Sequence, residues 1–388
     1  MKFDDAIVAL VPQVTEWRRH LHAHPETAFV EHDTARFVAS TLRGLGYAPH
    51  LGLGGTGVVA SLQGAAPGPA IALRADIDAL PMDEEGDVPH RSTRPGAMHA
   101  CGHDGHTAML LGAAAALAKR PDFGGTVHFI FQPAEEGAGG AKVMMDQGLF
   151  TQFPTDRVFG LHNWPGLPMG EFAVHSGAVM AAVDDFEVAI EGLGGHAAMP
   201  HLVVDPIVGA AQIITAAQSL VSRRVDPTDS AVLSITSVHG GSAFNVVPRQ
   251  VTLRGTARSF KPEVRASLEA RFARLVHGIC GALDLKAQIA WRQDYPPTIN
   301  TAPEADLAAR AAEAVVGAAR VHRDPPPSMG GEDFAFMLEA KPGCYAWLGT
   351  GPAHGLHHPR YDFNDAVLPI GITWWTRLVQ TALPMPGG

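Results

Sequence analysis

Eight consecutive residues, His99-Ala100-Cys101-Gly102-His103-Asp104-Gly105-His106, carry three histidines, a cysteine and an aspartate. An apolar core has no use for so many soft and hard donors at once, whereas a transition-metal site uses nearly all of them. Any fold for this chain must therefore bring the stretch to a polar centre. The alanine- and leucine-rich run from His106 to Lys119 reads as a helix, which places the cluster at a helix N-terminus. A second signal follows in Phe129-Ile130-Phe131-Gln132-Pro133-Ala134-Glu135-Glu136-Gly137, an apolar run that ends in two adjacent carboxylates. One of them can bind metal while the other handles protons.

Three segments read as strands with polar C-terminal ends. Ala70 to Ile77 leads into Asp76 and Asp78, Thr126 to Phe131 into the paired glutamates, and Val158 to Leu161 into His162. Open α/β sheets gather ligands at such ends. The middle of the chain differs. Phe186 to Glu191, Ala231 to Val238, Gln250 to Ser259 and Lys286 to Arg292 read as strands, with helices at about Asp205 to Arg223 and Lys261 to Leu283. The order β-α-β-β-α-β is the ferredoxin-like arrangement, so a small inserted domain is expected. Helix and strand patterns then resume at Glu304 to Gly317, Gly331 to Ala340, Gly343 to Leu348 and Ala366 to Thr381.

A length of 388 residues exceeds what one core usually supports and agrees with two domains. The net charge of -10, with no basic cluster, argues against nucleic acid or an anionic membrane as the partner. The acidic start Met1-Lys2-Phe3-Asp4-Asp5 lacks the features of a signal peptide, and no run of eighteen apolar residues occurs. Three cysteines, Cys101, Cys280 and Cys344, fit a reducing compartment better than a disulfide framework, so a cytoplasmic protein is expected.

Cys101 and His103 alone would leave a cation under-coordinated. Further donors stand at Glu136, at His162 in Leu161-His162-Asn163-Trp164-Pro165, and at His357 in Gly355-Leu356-His357-His358-Pro359. Five donors from four segments exceed what one tetrahedral ion needs, so two cations sharing a bridging ligand are expected. Singly, each residue has a plainer reading: His162 as a hydrogen-bonded structural histidine, the glutamates as a solvated helix start, Cys101 as a small buried hydrophobe. Their joint placement beside other donors at element ends favours the metal.

The segments Arg74 to Pro81, His99 to His106, Gln132 to Gly137, Gly194-Gly195-His196-Ala197-Ala198-Met199-Pro200-His201 and Leu356 to Pro359 resemble those of the M20 metallopeptidase family. They are most similar to its amidohydrolase branch, which includes hippurate hydrolases, N-acyl-amino-acid amidohydrolases and auxin-conjugate hydrolases. The match runs in order from about Trp17 to Asp365. The resemblance implies a catalytic α/β domain with a mixed sheet, residues 1–180 and 296–388, interrupted by a ferredoxin-like α+β lid and dimerisation domain at 181–295. It implies metal ligands at Cys101, His103, Glu136, His162 and His357, with Cys101 as the bridge, and Glu135 as general base on a water activated at the metals. Asp78, and beside it Asp76, matches an acidic position that orients a ligand. His196 matches a lid histidine that reaches the partner subunit's site and stabilises the tetrahedral intermediate.

For the substrate's carboxylate, Asn245 in Ala243-Phe244-Asn245-Val246-Val247-Pro248 and Arg258 are nominated, Arg258 for its bidentate fork. Arg258 reads equally as an exposed strand arginine. Glu332, in Met329-Gly330-Gly331-Glu332-Asp333-Phe334, reads as a contact to metal or substrate or as a helix-starting acid. His358 stands where many relatives carry Ser or Asn, so it competes with His357, which the flanking Leu356 and Pro359 favour. His20, His22 and His24 match a family feature at a helix end and are not counted as ligands. The expected activity is metal-dependent hydrolysis of an N-acyl amino acid by a homodimer, with two divalent ions per subunit. Manganese or zinc is expected, and cobalt or nickel is compatible with the donors. The rivals are a dipeptidase or carboxypeptidase on the same scaffold, and a non-catalytic metal- or ligand-binding protein.

Overall fold

A computed structural model describes residues 3–386. The chain divides into two compact units, one comprising Met1–Val179, Ile299–Pro326 and Asp333–Gly388, the other Met180–Thr298 and Pro327–Glu332.

The first unit is built on an eight-stranded mixed sheet. Its order is His50–Leu53, Gly57–Gln63, Gly124–Gln132, Ala66–Asp76, Arg157–Pro165, Gly343–Gly351, Phe172–Ala173, Val321–His322. The strands Gly124–Gln132, Ala66–Asp76, Arg157–Pro165 and Gly343–Gly351 run parallel to one another. Buried on both faces, they read in sequence as near-continuous apolar runs, and their C-terminal ends open at one edge of the sheet.

Against the sheet lies the helix His103–Lys119, in which every residue from His103 to Ala115 is buried. It packs on the helices Val11–Ala23 and Leu368–Ala382. The sequence places its start at His106, but the helix begins at His103. Gly102 makes the earlier start possible by adopting a left-handed φ of +86° as the cap. A side chain there would bring a Cβ to 2.3 Å from Asn163 Oδ1 and 2.7 Å from Tyr361 Oη. Glycine is thus required both for the backbone and for the space.

The second unit contains a four-stranded antiparallel sheet ordered Ala231–Gly240, Gln250–Ser259, Ala182–Glu191, Lys286–Tyr295. With the helices Pro206–Arg224 and Pro262–Ala282 between its strands, it has the ferredoxin-like β-α-β-β-α-β order. The strand Ala182–Glu191 alternates strictly between buried and half-buried residues, the mark of a sheet covered on one face. Phe186, Val188 and Ile190 from that strand join Ile213, Phe272 and Val276 of the helices in the core. Ser328 and Gly330 carbonyls accept from Ala181 N–H, which ties the segment 327–332 to this unit. No helix among the described residues is long and apolar enough to cross a membrane.

Candidate metal centre

The polar residues at the ends of the parallel strands converge with the start of the helix His103–Lys119. Cys101 Sγ lies 3.4 Å from His162 Nε2. His357 Nε2 lies 3.3 Å from Glu136 Oε1, and His103 Nε2 lies 3.9 Å from that same oxygen. Cys101, His103 and His162 offer ligand atoms within 4.8 Å of one another, and so do Cys101, Glu136 and His357. The two groups share the cysteine sulfur.

Local backbone conformation serves this convergence. Asp78, just past the strand Ala66–Asp76, grips both sides of the centre. Its Oδ1 lies 3.2 Å and its carbonyl 2.9 Å from His103 Nδ1, while its Oδ2 accepts from Glu136 N–H at 3.0 Å. A histidine held through Nδ1 presents Nε2 as the free donor atom. Ala134, immediately before the glutamates, has a left-handed φ of +55°. Its N–H donates to buried Glu31 at 2.9 Å, which holds a conformation that a non-glycine residue adopts at a cost. His357, at φ +62°, is likewise left-handed, and its N–H donates to the Ala100 carbonyl at 2.8 Å. Glu135 is buried, and its Oε1 accepts from Asp333 N–H at 3.4 Å.

The electrostatics are those of an acid-rich pocket. Burial works against a charged His103, yet Asp76, Asp78 and Glu136 outweigh it and push the imidazole up to about 10. Burial, followed by Glu136, Glu135 and Asp76, drives the Cys101 thiol well above its ordinary range. Both directions report excess negative charge, which a dication would reverse. His103 Nε2 and Glu136 Oε1 are buried with no hydrogen-bond partner. Two orphaned donor atoms 3.9 Å apart, beside a buried thiol, fit a metal site, since a folded chain rarely leaves such atoms unpaired. The mixed sulfur, nitrogen and oxygen set suits zinc or another first-row divalent ion.

Around the donors stands a layer of which the sequence assigns only Asp76. His106 Nδ1 lies 2.6 Å from Asp76 Oδ1, and its Nε2 accepts from Asn163 N–H at 3.0 Å. With both ring nitrogens engaged, His106 fixes the backbone beside His162. Asn163 Nδ2 donates to Tyr361 Oη at 2.7 Å. Arg74 donates to Asp76 at 2.7 Å and to Asp333 at 2.9 Å, neutralising two buried carboxylates. Arg74 and Asp76 were detectable as charges two residues apart in an apolar strand. Nothing in the sequence marked Asn163 or Tyr361.

His358 turns away from these groups: its Nδ1 accepts from Arg360 N–H at 3.0 Å and its ring stacks on His354 at 4.3 Å. The remaining nominated residues belong to the second unit. His196 and Asn245 lie side by side on an exposed ribbon, where His196 pairs with Val246 and the Asn245 carbonyl accepts from Ala197 N–H at 3.0 Å. Arg258 is half-buried on the strand Gln250–Ser259 and donates to Thr256 Oγ1 and to the Ala257 carbonyl. Glu332 is buried in that unit.

Comparison with known proteins decides the lineage. The profile of peptidase family M20/M25/M40 matches residues 72–381. This chain belongs to that family. M20 relatives follow it along nearly its whole length. It is 43% identical over 368 residues to the N-acetyl-L-cysteine deacetylase of Bacillus subtilis, covering 92% of this chain and 85% of that protein. It is 39% identical over 372 residues to the hippurate hydrolase of Campylobacter jejuni, covering 96% and 97%. Among solved M20 structures, it superposes with a TM-score of 0.85 on the YxeP protein of Bacillus subtilis, described as a dinuclear metal-binding peptidase, at 36% identity over 97% of this chain and 99% of that one.

Proposed function

We propose that this M20 hydrolase cleaves the amide bond of an N-acyl amino acid, releasing a carboxylic acid and a free amino acid. The observation that carries the reading is the pair of three-donor groups sharing Cys101 Sγ, with the buried carboxylate of Glu135 beside them. The names of the similar deacetylase and hippurate hydrolase point to the same substrate class.

Cys101, His103 and His162 would hold one divalent cation, and Glu136 and His357, again with Cys101, would hold the other. Manganese or zinc is the proposed occupant, with cobalt or nickel compatible. Bound there, the cations supply Lewis acidity to the scissile carbonyl and lower the pKa of water. Glu135 takes the proton from the attacking water and returns it to the departing nitrogen, so one carboxylate serves both halves of the reaction. Asp78 orients His103 and the Glu136 backbone.

We assign catalysis to the first unit and a lid and dimerisation role to the second. His196 of the second unit would reach the partner subunit's active site and stabilise the oxyanion there, and Asn245 and Arg258 are proposed to grip the substrate carboxylate. The long edge strand Ala231–Gly240 and the half-exposed Ile207 and Val208 support a homodimer through this unit, because an uncovered strand edge invites pairing with another chain. The three unpaired cysteines agree with a cytoplasmic location.

The test is amino-acid release from benzoyl, acetyl, longer-acyl and dipeptide substrates. Metal-stripped protein is reloaded with manganese or zinc, with Glu135→Gln as control. Metal-dependent release from the acyl substrates, lost in the variant, is expected. Preference for dipeptides would transfer the assignment to a dipeptidase or carboxypeptidase. Stoichiometric metal binding without release from any substrate would favour a binding protein.

A further inference from the structure

We propose that Arg18 is a positioning residue for the metal centre, clamping the segment that carries Cys101 and His103 to the segment that carries His357. The inference rests on the ligand assignment above, in which Arg18 itself has no place.

Arg18 lies on the helix Val11–Ala23 and is fully buried. Its guanidinium reaches two distant parts of the chain. On one side Nε stands 3.0 Å from Asp104 Oδ2, and Asp104 directly follows His103 in the first turn of its helix. On the other side Nη2 donates to Asp362, and Nε lies 3.5 Å from Asp365 Oδ1; both acids follow His357. His22, one turn further along the same helix face, adds a contact to Asp104 Oδ2 at 2.8 Å.

The two segments lie some 250 residues apart in the chain. Connectivity cannot therefore set their spacing. The His357 N–H to Ala100 carbonyl bond and the seating of Phe363 against Gly105 and of Tyr361 against Gly102 also join them, and the arginine adds the charged link. Burying a guanidinium is costly, and a site where stability was the sole demand would be served as well by apolar packing. A planar fork with donors in several fixed directions can hold carboxylates that approach from different sides, which a lysine ammonium at the end of a flexible stem cannot reproduce. The neighbouring trio His22, His90 and Asp362 has metal-like spacing, but Arg18 occupies it, with Nη1 at 2.7 Å from His90 Nε2.

Outer residues that orient metal ligands typically change affinity by about 10- to 100-fold when altered. The test is titration of metal-stripped wild type, Arg18→Lys and Asp362→Asn with manganese, with free ion followed by paramagnetic resonance. Unfolding temperatures are measured alongside, without metal and in a fixed excess of it. Wild type should bind two ions per chain. Arg18→Lys should bind at least one of them about 10- to 100-fold more weakly and show a smaller manganese-induced rise in unfolding temperature. Asp362→Asn, which cuts one arm at a partly exposed side chain, should move both readouts the same way by less, and it decides the matter if Arg18→Lys does not fold. Variants that unfold at lower temperature without metal, yet keep wild-type affinity and the full metal-induced rise, would overturn the proposal and leave Arg18 a structural staple. Failure of wild type to bind manganese or any other divalent ion would instead overturn the metal centre, and the clamp with it.

Discussion

The two units bury polar groups in opposite ways. Among the described residues, every buried side-chain nitrogen or oxygen without a hydrogen-bond partner lies in the first unit, His99, His103, Asp104 and Glu136 among them. In the second unit the core between sheet and helices is apolar, and its buried Asp184 is paired by Arg265 at 2.7 Å and by Trp291 Nε1 at 3.1 Å. Unpaired buried polar atoms cost free energy, so a fold keeps them where something else is to be bound. His196, Asn245 and Arg258 in the second unit stand instead on an exposed ribbon and a half-buried strand, where they cost little. The contrast separates a unit whose buried donors lack partners from one whose core is apolar.

In the polar unit, substitution at the base should act most strongly. Glu135→Gln should lower kcat by about 100- to 10,000-fold, the usual worth of a general base, while metal content and unfolding temperature stay near wild type. Loss of bound metal in that variant would mean that Glu135 serves as a ligand. Next comes the apolar unit: Phe272→Ala, at a fully buried position, should cost about 3 to 5 kcal/mol in denaturant unfolding, with no change in metal affinity. A change in metal affinity there would break the separation between the units.

Stability should depend on pH through His22. Burial opposes the charge on His22, but Asp104 and Glu84 raise its pKa from the ordinary 6.5 to about 9. The charged form is thus favoured in the folded state. Its contribution, about 3 kcal/mol at most, is fully present below pH 6.5 and is lost as pH rises toward 9. The stability difference between wild type and His22→Gln, followed by urea unfolding, should therefore be largest near pH 6 and shrink toward pH 9. A difference that grew over that interval would give the wrong sign. At the small end, Arg254→Ala removes a surface pair with Glu187 and should change stability by less than about 1 kcal/mol.

Much of this architecture was legible in the sequence, because parallel strands buried on both faces are written as apolar runs and their polar ends announce the site. The strand Gln250–Ser259 matches its expected bounds, and the helices at Pro206–Arg224 and Pro262–Ala282 lie within a residue or so of theirs. Short pairings such as Phe172–Ala173 with Val321–His322 carry no periodicity and emerge only from tertiary contact. Position His103 was legible as a donor, but its place inside the helix depended on the cap conformation of Gly102. His22 reads in the sequence as part of a helix-end feature, and nothing there marks Arg18. Their i,i+4 spacing marks a shared face, yet it is the burial of that face against Asp104 and Asp362 that gives it meaning, and those partners lie far along the chain.

In the proposed centre Cys101 Sγ is the donor common to both cation sites. Anomalous diffraction from manganese-loaded crystals tests it most directly. Two peaks flanking Cys101 Sγ are expected, one beside His103 and His162 and the other beside Glu136 and His357. A single peak, or peaks that leave Cys101 uncoordinated, would contradict it.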